Sequence, residues 1–317
     1  MTGKKWDVFI YGDINVDVVI PGVEQFPGAG QEHVVEDMSV YPGGGAALFS
    51  LGLGKLGLTP AFQGSVGADC HGAWLREELS RSHVDCTFLR TSQKNKTGIS
   101  LSFTNEKDRS FLTYRGTNEE WNLEEIDFEG VKNSRHIHLT SYAGSRNHNQ
   151  FQLLLKKIRE ISSATVSFDV GWDETGEWYE GIYELLPFID ILFMNETEAV
   201  HYTRGLSAKE AAVEFSKQCA MAVIKLGKSG SIGAKDGEVF LSRPYLVKAV
   251  DTTGAGDSFN AGFVYGFLKG KNMEQCLRIA NACGAMSVTA YGGNTAFPSN
   301  EELYHFLKQQ EERQEIK

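Results

Sequence analysis

A chain of 317 residues, 41% of them hydrophobic, is long enough for one large α/β unit with a sizeable core, and its 34 glycines against 7 prolines indicate many tight turns, not disorder or a fibre. A net charge of −10 argues against a phosphate backbone or an anionic membrane surface as partner, while leaving room for a local basic pocket. The cysteines at 70, 86, 219, 276 and 283 are odd in number and form no Cys-x-x-Cys pair, which excludes a disulfide framework and a zinc ribbon as readings of the pattern. No signal-peptide core follows Lys4 and Lys5 before Asp13 and Asp17, and no apolar run reaches membrane-spanning length, so the expected location is the cytoplasm.

Asp7 to Gly12 is a β-branched and aromatic run ending in glycine, the first predicted strand. Asp13 to Ile20 then alternates polar and apolar residues, placing Asn15 and Asp17 on one face just past a strand end. That is a ligand position in an open α/β sheet, or equally the solvated side of an edge strand. Residues 21–42 carry turn residues and alternating polar and apolar positions, and the glycines at 43–45 open a helix to Leu56. Gly52-Leu53-Gly54-Lys55-Leu56-Gly57 spells the dinucleotide pattern G-x-G-x-x-G, but inside and at the end of a helix instead of between a strand and a helix, and is rejected. A strand over 61–67 and a helix to about Ser82 follow.

From Gly98 to Tyr114 the periodicity is that of strands alone, two runs joined by a turn at 105–108, a candidate flap, dimer contact or ordinary edge hairpin. Strand-like runs at 136–140, 165–170, 190–194 and 222–226 are then each followed by a helical pattern, the signature of βαβ units. Strands at 231–235 and 238–242 meet across Asp236-Gly237 as a hairpin, helices are predicted over 257–270, 272–290 and 299–312, and 309–317 reads as a frayed tail. The expected fold is α/β: a doubly wound, mostly parallel sheet with helices on both faces.

The richest chemistry lies at Asp251-Thr252-Thr253-Gly254-Ala255-Gly256-Asp257, which opens directly onto an apolar helix. Its glycines let successive N–H groups turn toward an anion at a helix start, and Asp257 beside such a turn is either a general base for attack on phosphorus or a first-turn residue that serves the helix dipole. Asn195 and Glu198, behind a buried strand, suit either the water shell of Mg²⁺ or a capping box. Lys225-Leu226-Gly227-Lys228-Ser229-Gly230 lacks the first glycine of a phosphate-binding P-loop and is kept as a glycine-rich turn beside a nucleotide. His136 and His138 share a strand face without a third metal ligand, and no Cys-His or G-x-S-x-G signature supports a nucleophile.

Over essentially its whole length the sequence resembles the ribokinase-like carbohydrate kinases, the phosphofructokinase-B family. The specific match is Asp251 to Gly262; weaker ones are Gly12 with Asn15 and Asp17, Gly43-Gly44, Gly64 to Asp69 with Gly72, Asn195 with Glu198, Gly227 with Gly230, and Ala280 to Ala282. The resemblance implies one kinase domain over residues 1–317 with a small β lid contributed from about 13–40 and 97–115. It implies an ATP- and Mg²⁺-dependent phosphotransferase acting on a hydroxyl of a small sugar such as ribose, fructose or a related keto-sugar. Asp257 would deprotonate the acceptor hydroxyl, with Gly254, Ala255 and Gly256 supplying the anion-holding amides. Asn15, Asp17, Gly43 and Gly44 would hold the sugar. Asn195, Glu198, Lys225, Gly227, Gly230 and Asn281 would serve the nucleotide, Asn195 and Glu198 also organising Mg²⁺ through water. Asp251 would hold a monovalent cation, K⁺, and the lid would pair two subunits.

Two departures touch the acceptor side: Leu48 stands where the family has an asparagine, and Val170-Gly171 replaces Pro-Asn. The alternatives are a sugar-acid kinase of the 2-keto-3-deoxygluconate type, with Arg115 receiving the carboxylate, and a nucleoside kinase using Trp6, Trp121 or Tyr142. A non-catalytic nucleotide- or sugar-binding protein is the alternative from another class.

Overall fold

The structure, a computed structural model, describes residues 3–23, 26–104 and 109–315. In its first half lie β1 (Trp6–Tyr11), β2 (Asn15–Pro21), β3 (Ser39–Gly43), α1 (Gly45–Lys55), β4 (Pro60–Gly67), α2 (Cys70–Arg81), β5 (Leu89–Ser92), β6 (Gly98–Thr104), β7 (Arg109–Tyr114), α3 (Phe128–Lys132), β8 (Ser134–Leu139) and α4 (His148–Ile161). The second half adds β9 (Thr165–Asp169), α5 (Ile182–Leu185), β10 (Ile191–Asn195), α6 (Glu196–Tyr202), α7 (Ala208–Ser216), β11 (Met221–Lys225), β12 (Ser231–Lys235) and β13 (Glu238–Ser242). It closes with α8 (Ala255–Leu268), α9 (Met273–Ser287) and α10 (Asn300–Glu315).

Nine strands form one sheet in the order β13-β12-β11-β10-β9-β8-β1-β4-β5, parallel from β11 to β5 and antiparallel at the β12 and β13 edge. Strands buried on both faces need apolar residues on both, and β1 supplies them: Phe9 and Tyr11 enter one core layer, Val8 and Ile10 the other. The first layer packs α4 and α7, the second α1, α2, α8 and α9. This is the doubly wound arrangement expected. The Asp236-Gly237 turn has φ of 52° and 78°, as a two-residue hairpin of the twist-matched type requires.

A second sheet, β3-β2-β6-β7, stands apart, with β2 and β6 parallel and the outer pairs antiparallel. The expected hairpin is thus half of a four-stranded sheet; its predicted turn at 105–108 lies outside the described residues.

The sequence reading missed the short β5, gave β3 only as part of the alternating stretch that ends near 42, and expected a helix soon after β9. That segment is instead a long loop folded around Asp173, whose buried carboxylate accepts from the N–H and hydroxyl of Thr175 and from the Trp178 N–H. The predicted frayed tail is also corrected, since α10 runs on to Glu315.

Helix α8 is the central helix. Residues Ser258 to Gly266 are all buried, so it is apolar all round and not amphipathic. Glycines permit its close packing: a Cβ on Gly262 would come within 2.7 Å of Cys283 Sγ in α9, and one on Gly52 of α1 within 2.9 Å of Ala261 Cβ. Of the glycines rejected as a cofactor loop, Gly52 therefore serves helix contact, Gly54 lets the Ser82 carbonyl approach, and Gly57 takes a φ of 82° in the turn after α1. Removing one large buried side chain, such as Phe263, costs about 3–5 kcal/mol.

Candidate active site

Parallel strands deliver their last residues to one edge of the sheet, and here that edge carries Asp13 beyond β1, Asp169 ending β9, Asn195 ending β10 and Lys225 ending β11. Register brings Asn195 beside Lys225 and Phe193 beside Asp169. The N-terminus of α8 meets the same edge. Gly254, the residue before the helix, has φ of 70°, and a Cβ there would overlap the Gly293 carbonyl, so only glycine fits.

Two clefts open here. One, about 330 Å³, is lined by Lys225, Gly227, Gly230, Asn281 and an apolar wall that includes Tyr245, Val247, Phe259 and Val288, with Ala255 and Gly256 at its end. The other, about 610 Å³, is lined by Asp13, Asn15, Gly45, Asn118, Trp121, Tyr142, Trp172 and Asp257, with Arg115 and Arg146 among its charged groups. The first turn of α8 divides them: Ala255 and Gly256 face one cleft, Asp257 the other. Lys225 lines both.

Asp257 opens to its cleft but is otherwise enclosed; burial, and then the negative charge of Asp169, push its carboxyl up to about 8. A Cβ on Gly45 would lie 3.2 Å from Asp257 Oδ1, so a side chain at 45 would crowd the carboxylate. Lys225 Nζ donates to Asp169 Oδ2 at 2.8 Å, and Asn260 donates to the same oxygen. Burial would raise Asp169, yet the Lys225 charge outweighs it and holds the acid below the usual carboxylate range. Burial would likewise lower Lys225, and Asp169 with Glu198 reverses that.

The expected residues fall as follows. Asn15 and Arg115 line the second cleft, while Asp17 stands beside Asn15, accepting its amide hydrogen at 2.6 Å; burial pushes Asp17 up to about 6. Gly43 and Gly44 line neither cleft: a side chain on Gly43 would overlap the Asp17 carboxylate, and one on Gly44, at φ 90°, would overlap the Asp13 carbonyl. Lys225, Gly227, Gly230 and Asn281 line the first cleft together, and Asn281 Nδ2 donates to the Ser242 and Arg243 carbonyls. Glu198 lines the second cleft instead, and Asn195 lines neither.

Those two form a capping box on α6: Asn195 Oδ1 accepts from the Glu198 N–H at 2.8 Å, and the glutamate accepts from the Asn195 N–H and amide, both at 2.7 Å. Burial pushes Glu198 up to about 7. Asp251 accepts from the Thr253 N–H and hydroxyl and from the Gly292 N–H, which ties the glycine turn to the 292 loop. Among the described residues no cluster of three His, Cys, Asp or Glu side chains is placed to hold a metal. The two buried histidines are packed: His136 contacts the Thr165 and Ser167 hydroxyls, and His138 contacts Ser167 and stacks on Phe49, where burial lowers it to about 3.

Sequence reasoning missed Asp13, whose two oxygens accept from the Gly45 and Ala46 N–H groups, and also Asp169 with Asn260, Arg146 and Trp172. Asp13 had a signal, an acid between a strand end and the glycines that open a helix. Of the aromatic residues expected to face a base, Trp121 and Tyr142 line the second cleft, but Trp6 is buried outside it against Phe88, its indole N–H given to Asp85. Leu48 points into the core, where it packs against Gly293, so its departure from the family pattern leaves no gap in the cleft lining.

An anion turn at a helix start, a raised carboxyl on one side and a nucleotide-sized apolar cleft on the other define a group-transfer site for two substrates. The profile of the pfkB family carbohydrate kinases matches residues 5–300, and the chain belongs to that family. It is 32% identical to a sugar kinase of Archaeoglobus fulgidus over 78% of this chain and 98% of that one. It is 29% identical to an ATP-dependent ribose-1-phosphate kinase of Halopiger xanaduensis over 94% and 97%. The ribokinase of Arabidopsis thaliana, solved with ribose and ATP, superposes with a TM-score of 0.83 at 26% identity over 96% of this chain and 99% of that one. The protein is thus a phosphotransferase that takes a sugar alcohol group as acceptor. No helix among the described residues is long and apolar enough to cross a membrane.

Proposed function

We propose that the chain carries the γ-phosphoryl group of ATP, with Mg²⁺, to a hydroxyl of a small sugar in the cytoplasm. The observation that carries this reading is the split first turn of α8, with the amide-bearing Ala255 and Gly256 in the nucleotide cleft and Asp257 in the acceptor cleft. Phosphoryl transfer needs little covalent chemistry from the protein; it needs the two oxygens brought into line and charge on the moving group balanced. In the proposed sequence the adenosine lies against the apolar wall near Asn281 and the phosphates run toward the α8 N-terminus. The sugar hydroxyl donates to Asp257, which takes its proton as the oxygen attacks. The amides of residues 254–256, at the positive end of the helix, receive the developing charge. Lys225 supplies a cation where the two substrates meet.

The oxygen-rich edge fits Mg²⁺ held through water: Glu198 faces the cleft with a carboxylate fixed by Asn195, and a bound Mg²⁺ would supply charge neutralisation on the β- and γ-phosphates. Monovalent-cation activation would act through Asp251, which links the anion turn to the loop at 292. We read the second sheet as the lid of a single kinase domain, and exposed Phe111, Leu112 and Tyr114 on β7 support a homodimer formed through it.

The test is Asp257→Asn. Removal of the base lowers acceptor-dependent ADP release by about 10²–10⁴-fold while ATP affinity stays near that of the wild type. Turnover equal to the wild type would refute the assignment. A protein that binds ATP and sugars but never releases ADP in either form would be the non-catalytic binding protein instead.

A further inference from the structure

Eight charged side chains line the acceptor cleft: Asp13, Arg115, Arg146, Asp169, Glu174, Glu198, Lys225 and Asp257. Six already have partners. Asp13 holds two backbone amides, Asp169 pairs with Lys225, Glu198 is closed on Asn195, and Arg115 pairs with Glu174. Only Asp257 and Arg146 make no side-chain hydrogen bond or ion pair among the described residues. Asp257 is answered by the hydroxyl of the proposed reaction. Arg146 is left with its own demand.

Arg146 ends the short turn Gly144–Arg146 that follows β8, and the turn is pinned: Ala143 N–H donates to Asn147 Oδ1 at 2.9 Å, and the Asn147 amide donates back to the Ser141 carbonyl. Asp173, a carboxylate that feels its charge, spends both oxygens on Thr175 and Trp178. The guanidinium is therefore presented to the cleft with its donors uncommitted, and a planar fork of donors selects a carboxylate or phosphate over a neutral hydroxyl. Arg115 lies on the same cleft, its partner Glu174 exposed and replaceable.

Building on the kinase reading, we propose that the acceptor is an anionic sugar, with a hydroxyl at Asp257 and a carboxylate or phosphate held by Arg146, Arg115 assisting. The carboxylate and phosphate forms share this chemistry, and the assay separates them.

The experiment compares ribose 1-phosphate and 2-keto-3-deoxygluconate with the neutral sugars ribose and fructose and with a nucleoside, adenosine, in wild type, Arg146→Gln and Arg146→Lys. ADP release gives kcat/KM and titration calorimetry gives affinity without turnover. We expect the wild type to favour one anionic acceptor by roughly tenfold to a hundredfold, the span of a charged hydrogen bond. Arg146→Gln collapses that ratio chiefly through KM, and Arg146→Lys restores part of it. Preference for a neutral sugar or adenosine, equal loss on both classes in Arg146→Gln, or binding of none of the panel overturns the proposal. Anionic sugars that bind through Arg146 without any ADP release would refute the kinase reading and leave this inference standing.

Discussion

The two clefts that meet at α8 are built on different principles. The nucleotide side is backbone geometry against an apolar wall: Gly227 at φ 55°, Gly230 at φ 94°, the α8 amides and residues such as Val247 and Phe259. The acceptor side is made of side chains from separate strand ends and loops, most of them charged and engaged with one another. A backbone site tolerates little change at its glycines yet demands little of its other side chains. A side-chain site is the reverse, and it is where one fold exchanges one sugar for another.

The sharpest way to break this contrast is at the residue common to both clefts. In Lys225→Met the buried Asp169 keeps only the Asn260 amide and the Gly171 N–H, neither of them a cation, and a buried carboxylate without its counter-charge destabilises by about 3–5 kcal/mol. Urea denaturation reads that loss. The double variant Lys225→Met with Asp169→Asn should recover most of the stability but not the turnover, because the cation between the substrates is still missing. If turnover returns with stability, Lys225 is only a structural partner.

Next in size is a change confined to the backbone side. In Gly230→Ala the new Cβ would overlap the Ser242 carbonyl at a φ that side chains avoid, strain of about 1–3 kcal/mol. KM for ATP should rise while acceptor affinity, measured by calorimetry, holds. A parallel loss of both would mean that the clefts are not separable.

The same contrast explains what was legible in the sequence. Glycine spacing and helix starts are local, so the α8 turn, Gly227, Gly230 and the alternation of the large sheet could be read directly. The side-chain cleft was legible only in part, because Asp169 meets Lys225 across 56 positions of chain and Arg146 approaches from a turn with no pattern of its own. Asn195 and Glu198 had two readings on the page, and the capping box is what their geometry shows. The segment after β9 defeated periodicity because a buried polar residue, Asp173, and not an apolar stripe, shapes it.

A pH profile tests the floor of the acceptor cleft. With Asp257 pushed up to about 8, a base that must be ionised leaves kcat/KM falling about tenfold per pH unit below that point. Stability moves the opposite way. Between its ordinary value of 3.8 and about 8 the folded chain keeps a proton that the unfolded chain has lost, so Asp257 contributes stability at low pH that is lost as pH rises. Asp257→Asn should therefore gain thermal stability over the wild type at pH 9 and little at pH 4. A flat difference between those pH values would mean that Asp257 ionises normally.

The smallest effect is the most specific to the acceptor side. Arg115 and Glu174 are more than half exposed, so Glu174→Gln removes a pair worth no more than about 1 kcal/mol, and the melting temperature should barely move. Function should respond more than stability does. Freed from Glu174, Arg115 becomes a second uncommitted cation beside Arg146, and KM for an anionic acceptor should fall severalfold while KM for ATP is unchanged. If KM rises instead, Glu174 is itself a sugar ligand, accepting a hydroxyl hydrogen, and Arg115 serves to aim it.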